Sequence, residues 1–143
     1  MLLEHLGFCM NSAIWECPQD PAVIFRGCPE TAQLAWRTMD ALGHGLDAVV
    51  IQGKGKESET GRWVDHVWVE LPVLGLRIET NASQILGMPL FVQVLDIREN
   101  DDRYRDGFEH MEILDRVTPA GDRFYSGLAQ EIAACVRKRS AGK

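Results

Sequence analysis

The sequence predicts an α+β domain in which N-terminal helices and a C-terminal helix pack on an antiparallel β-sheet. Apolar residues recur at helical spacing in residues 2–16, 29–42 and 122–138. Four β-rich runs lie between the second and third of these segments and are separated by connections that contain glycine or proline. A block of strands flanked by helices is typical of the α+β class.

The helices have recognisable limits. Residues 29–42 carry an apolar stripe that Gly43 ends, and Pro29 suits the first helical position, so Cys28 lies at or next to the N-cap. Residues 17–28 are rich in Pro, Gly and Cys and predict an irregular connection. Residues 122–138 predict an amphipathic final helix.

The predicted strands follow the second helix. They are residues 47–52, 63–71, 76–80 and 90–98, and residues 54–62 form a polar hairpin loop between the first two. Residues 100–107 are highly charged and predict a surface excursion. Residues 108–118 fit a strand or a helix.

Length and charge limit the classes of function. A chain of 143 residues fits one domain, residues 1–143, and 45% apolar content is enough for a core. The formal charge of −6 disfavours nucleic-acid binding through phosphates. No apolar run could span a bilayer and no secretory leader is evident, which predicts a cytoplasmic protein. The oligomeric state is left open.

The cysteines are therefore expected to be free thiols. They lie at positions 9, 17, 28 and 135, and Cys9 and Cys135 fall in helical apolar stretches, as core thiols do. Cys28 differs because a helix N-terminus lowers the pKa of a thiol and offers N–H groups to an oxyanion. Glu30, in the first helical turn, is expected to point away from it. Cys28 is the candidate nucleophile, and Cys17 stays open.

A base for this nucleophile is found on the second strand. Alternation places His66 on one face with Trp68 and Glu70, where a rigid imidazole can act as a general base. A tight connection at residues 72–75 would pair the next strand antiparallel to it and bring Glu79 to the imidazole. Asn81 is an alternative orienting group. Asn81 and Trp68 are also candidate substrate contacts.

These motifs resemble the transglutaminase-like superfamily of cysteine enzymes. The match runs from residue 27 to about residue 85 and rests on Cys28, on His66-Val67-Trp68-Val69-Glu70 and on Glu79-Thr80-Asn81-Ala82-Ser83-Gln84. The resemblance implies a papain-like core, a Cys28–His66–Glu79 triad and acyl transfer from a peptide or protein amide, without a cofactor. The family usually has Asp where Glu79 stands. Trp15, Gln19 and Asn11 are candidates for the second oxyanion donor.

Other functions are weaker predictions. The cysteine spacing contains no C-x-x-C pair, so a zinc site is not expected. Gly53-Lys54-Gly55-Lys56 lacks the phosphate-loop pattern. The main alternative is a non-catalytic binding or interaction module on the same fold. The sequence does not distinguish peptidase, deamidase and transamidase activity.

Overall fold

The helices form one layer of an α+β fold. The computed structural model describes residues 2–17 and 28–142, and the side chains of residues 4–17 and 29–142. After a 3₁₀ turn at Leu2–His5, α1 spans Leu6–Trp15 and α2 spans Cys28–Ala41. The short α3 spans Ala82–Leu86, and α4 spans Pro119–Ala141.

The strands form one antiparallel sheet in the order β4-β3-β2-β1-β5. They are β1 (Val49–Lys56), β2 (Trp63–Leu71), β3 (Leu76–Glu79), β4 (Gln93–Asp96) and β5 (Tyr104–Glu109). Further 3₁₀ turns span Pro72–Leu74, Asp101–Arg103 and Met111–Asp115. The predicted α+β class with an antiparallel sheet is therefore confirmed.

The two faces of the sheet support different clusters. Val67, Val69 and Leu71 of β2 join the main core together with buried residues of α1, α2 and α4. Alternate residues of the same strand face away from this core. There Trp68 packs with Ile51, Ile85 and Tyr104 in a second, smaller cluster. The long helices α1, α2 and α4 thus cover one face, and the side chain of His66 lies on the other, next to the short helix α3.

Two polar contacts fix α2 against its neighbours. Trp36 donates a hydrogen bond from Nε1 to the carbonyl of Ala48, just before β1, at 3.0 Å. Arg37 binds Asp122 at 2.5 Å and Ser126 at 2.8 Å, both on α4. The helix that begins with Cys28 is therefore tied to the start of β1 by Trp36 and to α4 by Arg37.

Several element boundaries differ from the prediction. β1 continues through Gly53 and Gly55 to Lys56, which the sequence analysis assigned to a loop. β4 covers only Gln93–Asp96 of the predicted residues 90–98. The charged residues after it form a 3₁₀ turn and β5, an edge strand whose residues beyond Tyr104 are exposed. An exposed edge strand shows no apolar alternation, so residue pattern could not reveal it.

The expectation that Cys9 and Cys135 are free thiols is wrong. Their sulfurs form a disulfide with the Cα atoms 6.0 Å apart, which joins α1 to α4. Both residues are apolar-facing, as predicted, but the packing of the first and last long helices brings them together. Cys17 is a free cysteine of intermediate exposure. Along the described residues, no helix has the length and apolar character needed to cross a membrane.

Candidate active site

β2 carries His66 to the middle of the sheet. β2 pairs with β1 so that His66 is opposite Gly53, and with β3 from Val69–Ile78 to Leu71–Leu76. The connection between β2 and β3 is the 3₁₀ turn Pro72–Leu74, which ends at Gly75 with a φ of 67°. This tight connection fixes the register of β3 and brings Glu79 to the face of His66.

Glu79 and His66 form a completely buried pair. His66 Nε2 lies 2.8 Å from Glu79 Oε1 and 3.0 Å from Oε2, and both side chains have 0% exposure. A carboxylate only accepts, so Nε2 carries the hydrogen. In a neutral ring, Nδ1 is then the basic nitrogen. The hydrogen bond predicted between Glu79 and His66 is present.

Two further donors hold the Glu79 carboxylate. Tyr104 on β5 donates its hydroxyl to Oε1 at 2.6 Å, and the backbone N–H of Asn81 donates to Oε2. Together with His66 these donors satisfy both oxygens, which compensates for removing a carboxylate from water. The carboxylate is therefore fixed in orientation by three separate segments of the chain.

Aromatic rings and one cation surround the pair. The ring centroid of His66 lies 5.6 Å from that of Trp68 and 6.3 Å from that of Tyr104. The guanidinium of Arg77 stacks 3.9 Å from the centre of the Tyr104 ring and donates to Glu70 Oε2. Trp68 donates from Nε1 to the same oxygen at 2.7 Å. The result is a rigid, desolvated environment for the imidazole.

The glycines of β1 create the space for these rings. A Cβ on Gly55 would lie 3.0 Å from His66 Cδ2, and one on Gly53 would lie 2.9 Å from a ring carbon of Trp68. The segment Gly53-Lys54-Gly55-Lys56, considered above as a phosphate loop, is therefore a strand shaped to hold His66 and Trp68. The sequence analysis missed this function of the glycines.

A small cap covers the other side of His66. Ile85 of α3 is buried, and its Cδ1 lies 2.9 Å from the position of a Cβ on Gly55, next to the imidazole. The hairpin between β1 and β2 binds α3 through Ser58 N to the Gln84 carbonyl at 2.9 Å and through Gln84 Nε2 to Glu57 at 2.8 Å. These bonds keep α3 over the site. The hydrogen bonds that Glu57 accepts from Thr60 and then from Gln84 lower the pKa of its carboxyl group.

Burial controls the protonation of Tyr104. Desolvation, and then the negative charge of Glu79, raise the pKa of Tyr104 well above its usual value. The phenol is therefore neutral and acts as a hydrogen-bond donor. Sequence analysis missed Tyr104, because it lies in a charged stretch without alternation and reaches Glu79 only through the pairing of β5 with β1.

The remaining predicted residues have distinct positions. Cys28 is the first residue of α2, and its side chain lies outside the described residues. Trp68 is 2% exposed and packs beside His66. The side chain of Asn81 donates to Gln84 Oε1 at 2.9 Å, and its backbone N–H donates to Glu79. The residue that orients His66 is therefore Glu79 rather than Asn81. The oxyanion candidate Gln19 lies outside the described residues.

Metal ligands are not clustered in the described part of the chain. Among these residues, no three His, Cys, Asp or Glu side chains are grouped so that they could hold a metal ion.

Comparison with protein-family models, with curated proteins and with solved structures finds no match to this chain.

Proposed function

We propose that the protein is a cysteine-dependent acyl-transfer enzyme with Cys28 as nucleophile, His66 as base and Glu79 as the residue that positions His66. One observation supports this most: a buried imidazole has its Nε2–H fixed by a carboxylate that two further donors, the Tyr104 hydroxyl and the Asn81 N–H, hold in place. This is the arrangement that prepares Nδ1 to accept a proton. Under this proposal the fold is a papain-like, transglutaminase-like core.

The proposed reaction has two steps. Nδ1 of His66 takes the thiol proton, and the Cys28 sulfur attacks an amide carbonyl, whose oxygen becomes an oxyanion near the start of α2. The tetrahedral intermediate collapses to a thioester as the amine leaves with the proton from His66. Water or another amine, deprotonated by His66, then attacks the thioester and restores the thiol. The substrate class is a peptide or protein amide.

The decisive experiment compares two thiols in one protein. Cys28 is alkylated with iodoacetamide over a range of pH, and mass spectrometry gives its rate beside that of Cys17, which serves as an internal control. We expect the Cys28 rate to rise with a midpoint well below the ~8.5 of an ordinary thiol, and this midpoint to move upward in His66→Gln. Midpoints near ~8.5 in both proteins would refute the thiolate mechanism.

A second probe tests the thioester directly. p-Nitrophenyl acetate is an activated acyl donor, so an acyl-transfer enzyme should release a burst of nitrophenolate and gain one acetyl group on Cys28. The burst should be absent in Cys28→Ser and present in Cys17→Ser. An equal burst in the Cys28→Ser protein would exclude Cys28 as the nucleophile.

The alternative function, a non-catalytic binding module, is favoured by a specific observation. The side chains of His66 and Glu79 are both 0% exposed and lie on the face of the sheet opposite the main core that α2 joins, as in a pair that stabilises the second apolar cluster. On this alternative His66→Gln lowers stability but leaves the alkylation of Cys28 unchanged. The two functions thus predict opposite results in the alkylation experiment.

The cytoplasmic location expected from the sequence remains a proposal. The Cys9–Cys135 disulfide weighs against it, because disulfides persist mainly in oxidising compartments.

A further inference from the structure

A wide groove separates α1 from the outer edge of the sheet. Its volume is about 850 Å³, within the range of ligand sites. One wall is a face of α1 that includes Phe8, Asn11 and Trp15, and the other wall is β4 with the segment before it. The groove is separate from the buried cluster around His66, yet it approaches that cluster at Gln93, which pairs with Glu79 across β3 and β4.

The backbone edge along this groove is open. β4 pairs with β3 on one side and is the last strand of the sheet. Just before it, the side chain of Asn11 donates to the Val92 carbonyl at 2.8 Å and accepts from the Phe91 and Val92 N–H groups at 2.8 and 3.0 Å. A side-chain amide thus pairs with the outward edge as a neighbouring strand would.

This pairing identifies the next open position. Backbone groups of an antiparallel strand alternate between its two sides, so Val94 presents its N–H and carbonyl on the same side as Val92. The Val94 carbonyl accepts only a long bond of 3.4 Å from the side chain of Gln93 in the described structure. Val94 can therefore pair with an added extended chain, as in β-strand addition.

The groove also presents apolar side chains to solvent. Phe8 is 55% exposed and Trp15 is 75% exposed, although both are large aromatic residues. The Trp15 ring lies 6.4 Å from that of Phe91 across the groove. Exposed aromatic side chains grouped around a groove are typical of binding surfaces.

The charge of the lining selects the partner. The carboxylates that line it are Glu4 and Glu16, the guanidinium of Arg139 lies 4.0 Å from the centre of the Phe8 ring at one end, and the whole chain has a formal charge of −6. An apolar segment that also carries basic side chains would be attracted to this surface, whereas an acidic segment would be repelled.

We propose that the groove binds an extended, basic peptide segment that pairs with Val94 and inserts an apolar side chain between Phe8 and Trp15. This inference rests on the proposed function, because it assigns the groove to the part of a peptide substrate that flanks the amide under attack. It names the substrate class as basic, extended peptide rather than folded protein surface.

Binding is tested on the full chain with a fluorescein-labelled, capped hexapeptide in which lysine alternates with leucine and phenylalanine. Fluorescence polarisation gives its dissociation constant. We expect a peptide with glutamate in place of lysine to bind about tenfold more weakly, and a backbone-methylated peptide to do the same because it cannot pair with Val94. Equal binding of the acidic or the methylated peptide would overturn the charge or the pairing argument, respectively.

Variants locate the site. Trp15→Ala should weaken binding of the lysine peptide about tenfold or more, since aromatic contacts that become buried dominate such interfaces. Trp15 is 75% exposed in the free protein, so this variant should keep its stability. Glu16→Lys should also weaken binding of the lysine peptide, and by a larger factor at low salt than at high salt. Leu46→Ala, at an exposed apolar residue outside the groove lining, is the matched control and should bind normally.

Two further outcomes would overturn the proposal. One is undetectable binding of the lysine peptide at 1 mM, roughly the weakest affinity of a specific complex. The other is a Trp15-dependent dimer in size-exclusion chromatography, which would make the groove an interface between copies. Neither outcome concerns Cys28, so the alkylation experiment still decides the enzyme separately. Peptide binding with an ordinary Cys28 thiol would instead retain the groove and reject the catalysis.

Discussion

Glu79 is a buried carboxylate whose orientation depends on the groups that donate hydrogen bonds to it. It has no contact with solvent, and its oxygens accept from His66, Tyr104 and the backbone of Asn81. In this position it fixes which imidazole nitrogen carries the hydrogen. Glu79 meets the ring because β3 ends at this residue and the chain turns there into α3.

Glu79→Gln should therefore impair chemistry far more than folding. Glutamine keeps the shape but can place its amide NH₂ against Nε2–H, which favours the wrong tautomer. We expect the rate of Cys28 alkylation at neutral pH to fall by about 10- to 30-fold, which is the most that a rise of the thiol pKa to ~8.5 allows at pH 7, while the free energy of unfolding falls by about 1–3 kcal/mol. Alkylation kinetics and urea unfolding measure the two effects.

Asp65→Asn is the matched control for that variant. Asp65 is adjacent to His66 in sequence, but its side chain is 84% exposed and its partner is Lys54. This variant should leave both the alkylation rate and the stability nearly unchanged. If Glu79→Gln behaves like Asp65→Asn, Glu79 has no part in the mechanism.

Tyr104 gives a prediction about pH. The pKa of its phenol is raised in the folded protein by burial and by Glu79, while the unfolded chain has the ordinary value of about 10. The unfolded state therefore releases a proton first as the pH rises. The stability that Tyr104 contributes is fully present below pH ~10 and is lost above it, by about 1.4 kcal/mol for each pH unit.

Tyr104→Phe removes this loss. At pH 7 the variant should be less stable by about 1–3 kcal/mol, because Glu79 Oε1 loses a donor. The difference between the two proteins should shrink steadily above pH 10. Urea unfolding of both proteins at pH 7, 10 and 11 measures it. A difference that stays constant with pH would show that the phenol ionises equally in both states.

At the scale of elements, β1 is shaped by its neighbours. β1 and β5 change register between Gln52 and Lys54, and Asp106 on β5 has a φ of 57°, which marks a bulge. The bulged backbone comes close to Gly53: a Cβ there would lie 2.8 Å from the Arg105 carbonyl oxygen and 2.9 Å from Gly107 Cα. Backbone atoms cannot move aside as a side-chain end can.

Gly53→Ala should consequently cost more stability than Gly55→Ala. The Cβ on Gly55 comes closest to the end of the Ile85 side chain, at 2.9 Å, and this end can move aside, although the Cβ also lies 3.0 Å from Cδ2 of the His66 ring that Glu79 holds. We expect a loss of about 2–3 kcal/mol for Gly53→Ala and about 1 kcal/mol for Gly55→Ala. Urea midpoints at constant m-value give these differences.

Gly127→Ala supplies the control of opposite sign. Gly127 lies inside α4, and a Cβ there meets nothing within 4 Å. Alanine should raise stability by about 0.5–1 kcal/mol, since it is the better helix former. If Gly53→Ala and Gly55→Ala are equally mild, the close approaches around β1 do not limit the strand.

Elements with strong local periodicity could be predicted from the sequence. α2, β2 and β3 lie within a residue or so of their predicted limits, because helical spacing, alternation and the Pro72 turn all act locally. The contact between His66 and Glu79 followed from that turn. β5 and Tyr104 could not be predicted in this way, since an exposed edge strand has no burial pattern of its own.

At the scale of the whole molecule, the first and last long helices are covalently joined. The Cys9–Cys135 disulfide links α1 to α4 over a sequence separation of 126 residues. The sequence of neither helix indicates that α1 and α4 are neighbours, so only their packing reveals that Cys9 and Cys135 are bonded. Because α1 also forms one wall of the groove, the disulfide fixes that wall relative to the rest of the fold.

Removing this link should destabilise the protein without changing its fold. A cross-link over so long a loop restricts the unfolded chain strongly, so we expect reduction by dithiothreitol to lower the free energy of unfolding by about 2–4 kcal/mol. The Cys9→Ala, Cys135→Ala double variant should have this lower stability and no further response to dithiothreitol. Cys17→Ala should respond as the natural protein does. Rapid alkylation of Cys9 and Cys135 in the oxidised, unfolded natural chain would show that the two thiols are not joined.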